Sequence, residues 1–430
     1  YDTPMRLAVV DFQQKNVLLD HADLRRPTLE AMTRPVLEHD LAALRRVLEE
    51  RVAAAGGFIE DGSVVTPARG GKPAKLPTYK SANGERLPVP NLVAEATAAT
   101  LARLGIETPA DALAFMKRRK PADFRWLKVA VRLPAAPEYY GPNMELSVEI
   151  DRGDIWYDFP WDPKGRRLPQ PRSEFPSLTL FVKWQGERVP LVRWRTTIGG
   201  WRAELAADGE EYLRYKDSDV GPRVWRHIVA APVWIPPTSS PLGGMVQKKW
   251  VNGAVVPVTN YDETGPGYLS AYGLAAAIHV EMRKYADGRV TYFDNGIRTH
   301  GSFDYMSLRG RFSHGCHRLY NNLALRLFSW VLRHRQARTL GPMALNFRRT
   351  FYKDGGLFDL RLPTRGFYYE LDPPLPVEVL EGNIKGTIKK PPTGYIPKPG
   401  VTYARSAPPA ASSDPASRAG GGGAAVEEAP

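Results

Sequence analysis

The chain has 430 residues, of which 43% are hydrophobic and 24% charged, an ordinary balance for a folded globular protein and enough length for two or three domains. Lys and Arg outnumber Asp and Glu by 59 to 46, a net charge of +13, which suits an anionic partner: nucleic acid, a membrane surface or a charged wall polymer. No run reaches the roughly 18–20 apolar residues of a membrane helix, and a single cysteine excludes an internal disulfide and the usual zinc sites built on two or four thiolates.

The opening Tyr1-Asp2-Thr3-Pro4 leads straight into an amphipathic segment without a charged-then-apolar leader, so the sequence reads as starting inside a domain and says nothing about export. In "MRLAVVDFQQKNVLL", Leu7, Val10, Val17 and Leu18 recur near helical spacing. The pattern resumes in "RRPTLEAMTRPVLEHDLAALRRVLEERVAAA", which Pro35 divides into two helices. These make a helical module over 1–55. Gly, Pro, Lys and Ser dominate from Gly56 to Pro90, an irregular linker. "LVAEATAATLARLG" and "TPADALAFMKRRK" are helical again, the second capped by Thr108 before Pro109; linker and helices together fill 56–142.

From about Asn143 the texture changes. "MELSVEI", "LTLFVKW" and "RVPLVRWRTTIGG" alternate, are rich in β-branched and aromatic residues, and are broken by Gly and Pro, the pattern of short strands. Eight of the ten tryptophans fall between Trp156 and Trp250, as expected of a β core. One clear helix, "NNLALRLFSWVLRHRQ", follows the cysteine. The stretch 391–430 lacks periodicity and ends rich in Pro, Ala, Ser and Gly, which reads as a disordered tail.

The only thiol, Cys316, stands between His314 and His317 in "GRFSHGCHRLYN". A lone cysteine is by default a small core hydrophobe. It becomes a nucleophile when a histidine from elsewhere in the fold is brought to it. His300-Gly301-Ser302 lies 16 residues upstream. The spacing predicts a strand ending at His300, a loop, a turn over Ser313–Cys316 and a helix soon after. Placed near that helix start, the cysteine gains a thiolate-favouring dipole and backbone N–H groups for an oxyanion. A zinc site on His300, His314, Cys316 and His317 is disfavoured, because the last three are too crowded for ordinary ligand spacing.

"HGS…SHGCHR" resembles the signature of the L,D-transpeptidases: an upstream His-Gly, then Ser/Thr-His-Gly-Cys, one residue, and Arg or Asn. "RHIVAAPVWIPP" resembles that family's Trp-Pro strand segment, and the opening helices resemble the peptidoglycan-binding module of its large periplasmic members. The resemblance implies an α+β protein: a mainly β catalytic domain over 143–390 with an inserted lid at about 237–298, preceded by the helical module. It implies that Cys316 is the nucleophile, that His300 is the general base oriented by the Gly301 carbonyl, and that the N–H groups of Gly315 and Cys316 form the oxyanion hole. By the same resemblance His314 lines the hole or the donor site, Arg318 anchors a substrate carboxylate or the loop, and Ser313 lies on the substrate side and holds the turn. Tyr305 and Arg309 in the intervening loop are read as solvated. His317 stands where the family has a small or branched apolar residue; it has no assigned role and is read as a hydrogen-bonded surface or core histidine.

The implied reaction is acyl transfer from a peptidoglycan stem peptide through a Cys316 thioester, with release of the terminal D-amino acid. It needs no cofactor or metal. The partners are stem peptides and glycan, with an envelope protein as a possible acyl acceptor and no nucleic acid, in the periplasm or cell envelope. Alternatives are a hydrolytic L,D-carboxypeptidase or endopeptidase of the same fold, and a non-catalytic wall-binding protein.

Overall fold

The computed structural model describes residues 2–18, 24–66, 74–303, 308, 313–404 and 408. They form two compact units, 1–145 with 181–193, and 146–180 with 194–430.

In the first unit α1 (Thr3–Lys15) is capped by Asp2, whose carboxylate accepts from the Met5 N–H at 2.9 Å. α2 (Arg26–Met32) joins it through a buried hydrogen bond from Gln13 Nε2 to Thr28 Oγ1, 3.0 Å. Pro35 precedes α3 (Val36–Gly56), which ends at Gly57 in the left-handed region. A small hairpin of β1 (Thr78–Lys80) and β2 (Arg86–Pro88) lies within the expected irregular linker. α4 (Leu92–Leu104) follows, and then α5 (Pro109–Lys117), opened by a capping box between Thr108 and Asp111. Ala53, Phe58, Leu92, Val93 and Ala96 form one core cluster. Glu60 is fully buried beside them. Tyr139 Oη donates to it at 2.9 Å, Tyr140 Oη also donates, and burial raises its carboxyl to about 7.

The second unit is mainly β. Its strands begin with β3 (Leu146–Asp151) and β4 (Asp154–Trp156); β5 (Ser177–Trp184) starts in it, the rest of β5 and most of β6 (Glu187–Arg195) belong to the first unit, and β7 (Gly199–Leu205), β8 (Glu211–Asp217) and β9 (Gly221–Ala230) follow in the second. After the hairpin β10 (Val246–Val251) and β11 (Ala254–Thr259) and the short α6 (Tyr261–Thr264) come β12 (Ala275–Lys284), β13 (Val290–Phe293), β14 (Arg298–Ser302) and β15 (His317–Tyr320). Helix α7 (Asn321–His334) precedes the long hairpin β16 (Ala337–Lys353) and β17 (Gly356–Val379), and β18 (Asn383–Lys385) and β19 (Tyr395–Ile396) close the fold.

The main sheet of this unit runs β15-β14-β12-β9-β17-β3, with β13 on β12 and β16 on β17. The α7 face toward it carries Ala324, Leu327, Phe328 and Val331, all buried. Phe328 meets the fully buried Trp225 of β9 edge to face at 5.5 Å. A second core of Ile155, Tyr157, Ile198, Trp201, Leu213 and Tyr215 takes up several of the aromatic residues that marked this region in the sequence.

Three expectations need correction. The interval 237–298 is not all insertion: β12 lies inside it and pairs with β9 and β14, so its unbroken apolar run Ala275–Ile278 is a buried central strand. What remains outside the main sheet is chiefly β10, β11 and α6, packed on the far part of β16–β17 around Met245, Phe351, Phe358 and Leu360. The stretch 391–404 is not disordered: β19 pairs with β8, and Tyr403 stacks on Tyr212 at 4.6 Å. Third, β15 separates Cys316 from α7, so the thiol does not sit at the start of that helix and its dipole does not reach it.

Candidate active site

β14 and β15 run parallel, with Thr299 opposite His317 and His300 opposite Arg318. Side chains alternate along a strand, so His300 and Arg318 share one face of the sheet while Thr299 and His317 share the other. Cys316 is the last residue before β15 and is half-buried.

His300 is buried, and the Gly301 carbonyl accepts from its Nδ1–H at 2.7 Å. That bond leaves the Nε2 lone pair free to take a proton. Burial first, and the Arg318 charge second, lower the imidazole to about 3, so it is neutral at pH 7. The Cys316 thiol donates to the Gly296 carbonyl at 3.7 Å. Burial pushes it above the ordinary cysteine value, against the pull of the Arg298 N–H and the Arg298 and Arg318 charges. At rest the Cys316 thiol and the His300 imidazole are therefore both neutral rather than a thiolate and an imidazolium. Tyr272 packs its ring on His300 at 4.9 Å, and its hydroxyl is raised by burial and by the Cys316 charge, which ties cysteine, histidine and tyrosine into one locus.

The turn carrying Cys316 is stapled from the β6–β7 connection. Thr197 Oγ1 donates to the Cys316 carbonyl at 2.7 Å and accepts from the Arg318 N–H at 3.0 Å. Thr196 Oγ1 donates to the Arg318 carbonyl at 2.9 Å, and Arg202 Nε donates to the Ser313 carbonyl at 3.0 Å. Ser313 is buried and its hydroxyl donates to the Cys316 carbonyl at 2.6 Å, which makes it a turn-holding residue. His314 is exposed; packing of its ring first, then Arg202, Arg318 and Lys216, lower its pKa, and water tempers that lowering. Gly315 has φ +109, and a Cβ there would stand 2.7 Å from both the Asp217 carbonyl oxygen and Ile297 Cδ1. Gly315→Ala is expected to cost about 1–3 kcal/mol through that strain and to slow alkylation or acylation of Cys316; urea denaturation and intact mass check the two effects.

Several positioning residues escaped the sequence reading. The strand-like run "RWRTTIGG" gave a local signal for the turn with Thr196 and Thr197, but not for its partner loop. Asn321 accepts from the Leu274 N–H at 2.9 Å and donates to the Tyr268 carbonyl at 3.0 Å, fixing the segment that carries Tyr272. Asn321→Ala is expected to cost about 1–3 kcal/mol by leaving a buried donor and acceptor unpaired, again read by urea denaturation. Asp294 and Arg298 form a bidentate pair at 2.6 and 2.7 Å that shapes the turn holding Gly296. Tyr305 and Arg309 lie outside the described residues.

His317 departs from its expected reading. It is fully buried, and neither ring nitrogen has a hydrogen-bond partner among the described residues. Its ring faces His279 at 4.8 Å, on the side away from His300. Trp225 Nε1 and Thr299 Oγ1 both donate to His279 Nε2, at 2.8 and 2.7 Å, so His279 carries its proton on Nδ1, which is also unpartnered. Burial lowers His317 to about 3 and His279 well below its ordinary value. Unfolding restores ordinary histidines, which bind more protons between about pH 3 and 6.5, so folding stability falls as pH drops through that window. His317→Phe removes two buried unpartnered nitrogens at similar ring size; it is expected to change the midpoint at pH 7.5 little and to flatten the acid limb, measured by urea denaturation from pH 7.5 to 4.

Among the described residues no group of three or more His, Cys, Asp or Glu side chains is arranged to hold a metal ion. No helix among them is long and apolar enough to cross a membrane.

Residues 177–350 match the YkuD model, the L,D-transpeptidase catalytic domain. This YkuD match contains His300, Cys316 and the staples from Thr196, Thr197 and Arg202, and it supports an enzyme of the L,D-transpeptidase type. A mostly β unit accords with that domain, and peptidoglycan as substrate and a cell-envelope location are consistent with it. No curated protein and no solved structure matches the chain.

Proposed function

We propose that this protein is an L,D-transpeptidase of peptidoglycan stem peptides, working through a Cys316 thioester in the cell envelope. One observation carries the reading: a buried, neutral His300 is held in one tautomer by the Gly301 carbonyl, on the strand paired with the one that begins directly after Cys316. The matched catalytic domain is consistent with it.

In the proposed reaction the thiol sulfur attacks the donor carbonyl as its proton passes to His300 Nε2. A neutral base and a neutral thiol make proton transfer part of the attack rather than a step before it. The Gly315 and Cys316 N–H groups are assigned to the oxyanion, where fixed donors contribute most. His300 then gives its proton to the leaving D-amino acid amine, the C–N bond breaks, and the thioester remains. An acceptor amine attacks that thioester; a C–N bond forms, the C–S bond breaks, and the amine proton returns through His300 to the sulfur. With the side-chain amine of a diaminopimelate residue as acceptor, the product is a 3–3 crosslink.

Incubating the protein with a disaccharide-tetrapeptide tests this. Expected are a Cys316-linked thioester in the intact mass and a crosslinked dimer that has lost one D-amino acid. Release of the D-amino acid without dimer would make the enzyme a hydrolase, and neither product would reject acyl transfer.

A further inference from the structure

Beside the candidate site lies a cavity of about 610 Å³ that the YkuD match does not fully enclose. Its inner lining includes His314, and Asn295 and Ile297 on either side of the Gly296 whose carbonyl holds the thiol. Its other wall is the segment Lys389-Lys390-Pro391-Pro392-Thr393, beyond the matched residues.

That segment is a strap tied at both ends. Before it, β18 pairs in parallel with β4, Ile384 packs on the Ile155–Tyr215 core, and the Asp158 carboxylate accepts from the Thr387 and Ile388 N–H groups at 2.9 and 3.1 Å. Gly386 lies so close to Asp158 that a Cβ would stand 1.6 Å from its Oδ2. After it, β19 pairs with β8 and Ile396 packs on the same core. Two prolines keep the bridging residues extended and without N–H donors.

The charges of the cavity wall are mostly spoken for. Arg152 pairs with Asp217 at 2.5 Å, Arg223 with Asp219 at 3.6 Å, and Glu281 with Arg283 at 2.8 Å. Arg214 and Lys216 share one carboxylate, Glu204, at 3.7 and 2.9 Å. Lys389 has only the Gly386 carbonyl, at 2.7 Å, and Lys390 has no partner among the described residues. Glu381 is the one further carboxylate of the lining; with it counted, cations are still in excess, and the two without a carboxylate are adjacent on the strap.

Resting on the transpeptidase reading, we infer that this cavity is the acceptor side of the site and takes an amine that also bears a carboxylate, an α-amino acid end, with Lys389 and Lys390 holding the carboxylate while the amine meets the Cys316 thioester. A charge-assisted contact to lysine selects for the carboxylate, and water as acceptor needs neither lysine.

Two measurements on the whole chain test it. With the tetrapeptide donor, transfer to diaminopimelate is compared with transfer to 1,5-diaminopentane, which keeps the amines and lacks the carboxylates. Wild type is expected to show at least a tenfold lower KM for diaminopimelate. Lys389→Ser with Lys390→Ser should erase that preference and leave thioester formation and hydrolysis unchanged, and the Arg pair should restore it. Equal KM values in wild type, or a Ser pair that keeps the preference, would overturn the inference. Calorimetric binding of diaminopimelate to wild type and to the Ser pair requires no turnover. Binding lost in the Ser pair supports the cavity even if no thioester forms, a result that would reject the transpeptidase reading alone. No binding to wild type, or equal binding to both, overturns it.

Discussion

Cys316→Ala is expected to abolish thioester formation and every product that depends on it, a loss of roughly 10⁴-fold or more, the scale on which removal of a nucleophile leaves only binding and oxyanion contributions. The fold should hardly notice. The thiol is half-buried and its hydrogen bond is a weak 3.7 Å contact to Gly296, while the turn is held through the Cys316 carbonyl by Thr197 and Ser313, which the substitution leaves in place. The midpoint of urea unfolding should therefore move by less than about 1 kcal/mol. A variant that keeps releasing a D-amino acid from the tetrapeptide would refute the mechanism.

His300→Gln should lower the rate of thioester formation about 10²–10⁴-fold, the usual contribution of a positioned base. The pH profile carries more than the magnitude. With the imidazole lowered to about 3, the base stays unprotonated well below the ordinary histidine value, so kcat/KM of wild type should show no inflection near pH 6.5 and should stay level down to about pH 5. With the thiol raised by burial, alkylation of Cys316 by iodoacetamide should climb with pH to a midpoint above the ordinary cysteine value of about 8.5. A plateau of alkylation below pH 6 would mean a thiolate–imidazolium pair at rest and would contradict the neutral-pair geometry. A His300→Gln variant as active as wild type would remove His300 from the base role.

The sequence by itself determined the parts of this protein whose signals are local. Pro35, Thr108 with Asp111, and the periodicity after Asn321 placed helices because caps, breakers and apolar spacing act within a few residues. The alternating segments after Asn143 placed β3, β5 and β6 for the same reason. The motif around Cys316 and its spacing from His300 carried a resemblance to the L,D-transpeptidases, and the expectation of acyl-transfer chemistry came with that resemblance.

The tertiary structure decided what depends on contacts between distant residues. That Ala275–Ile278 is a central strand rather than lid followed from its pairing on both edges, which an apolar run alone does not specify. That Thr196, Thr197 and Arg202 grip a turn more than 110 positions away followed from sheet topology. The same holds for Tyr272, brought against His300 by Asn321, and for the lysines 389 and 390, brought to a cavity by a strap that composition had marked in part as tail. Burial is the last such quantity: whether a histidine beside a cysteine is a solvated ligand or a fully buried ring with unpartnered nitrogens is set by what packs around it, and that set His317 apart from His300.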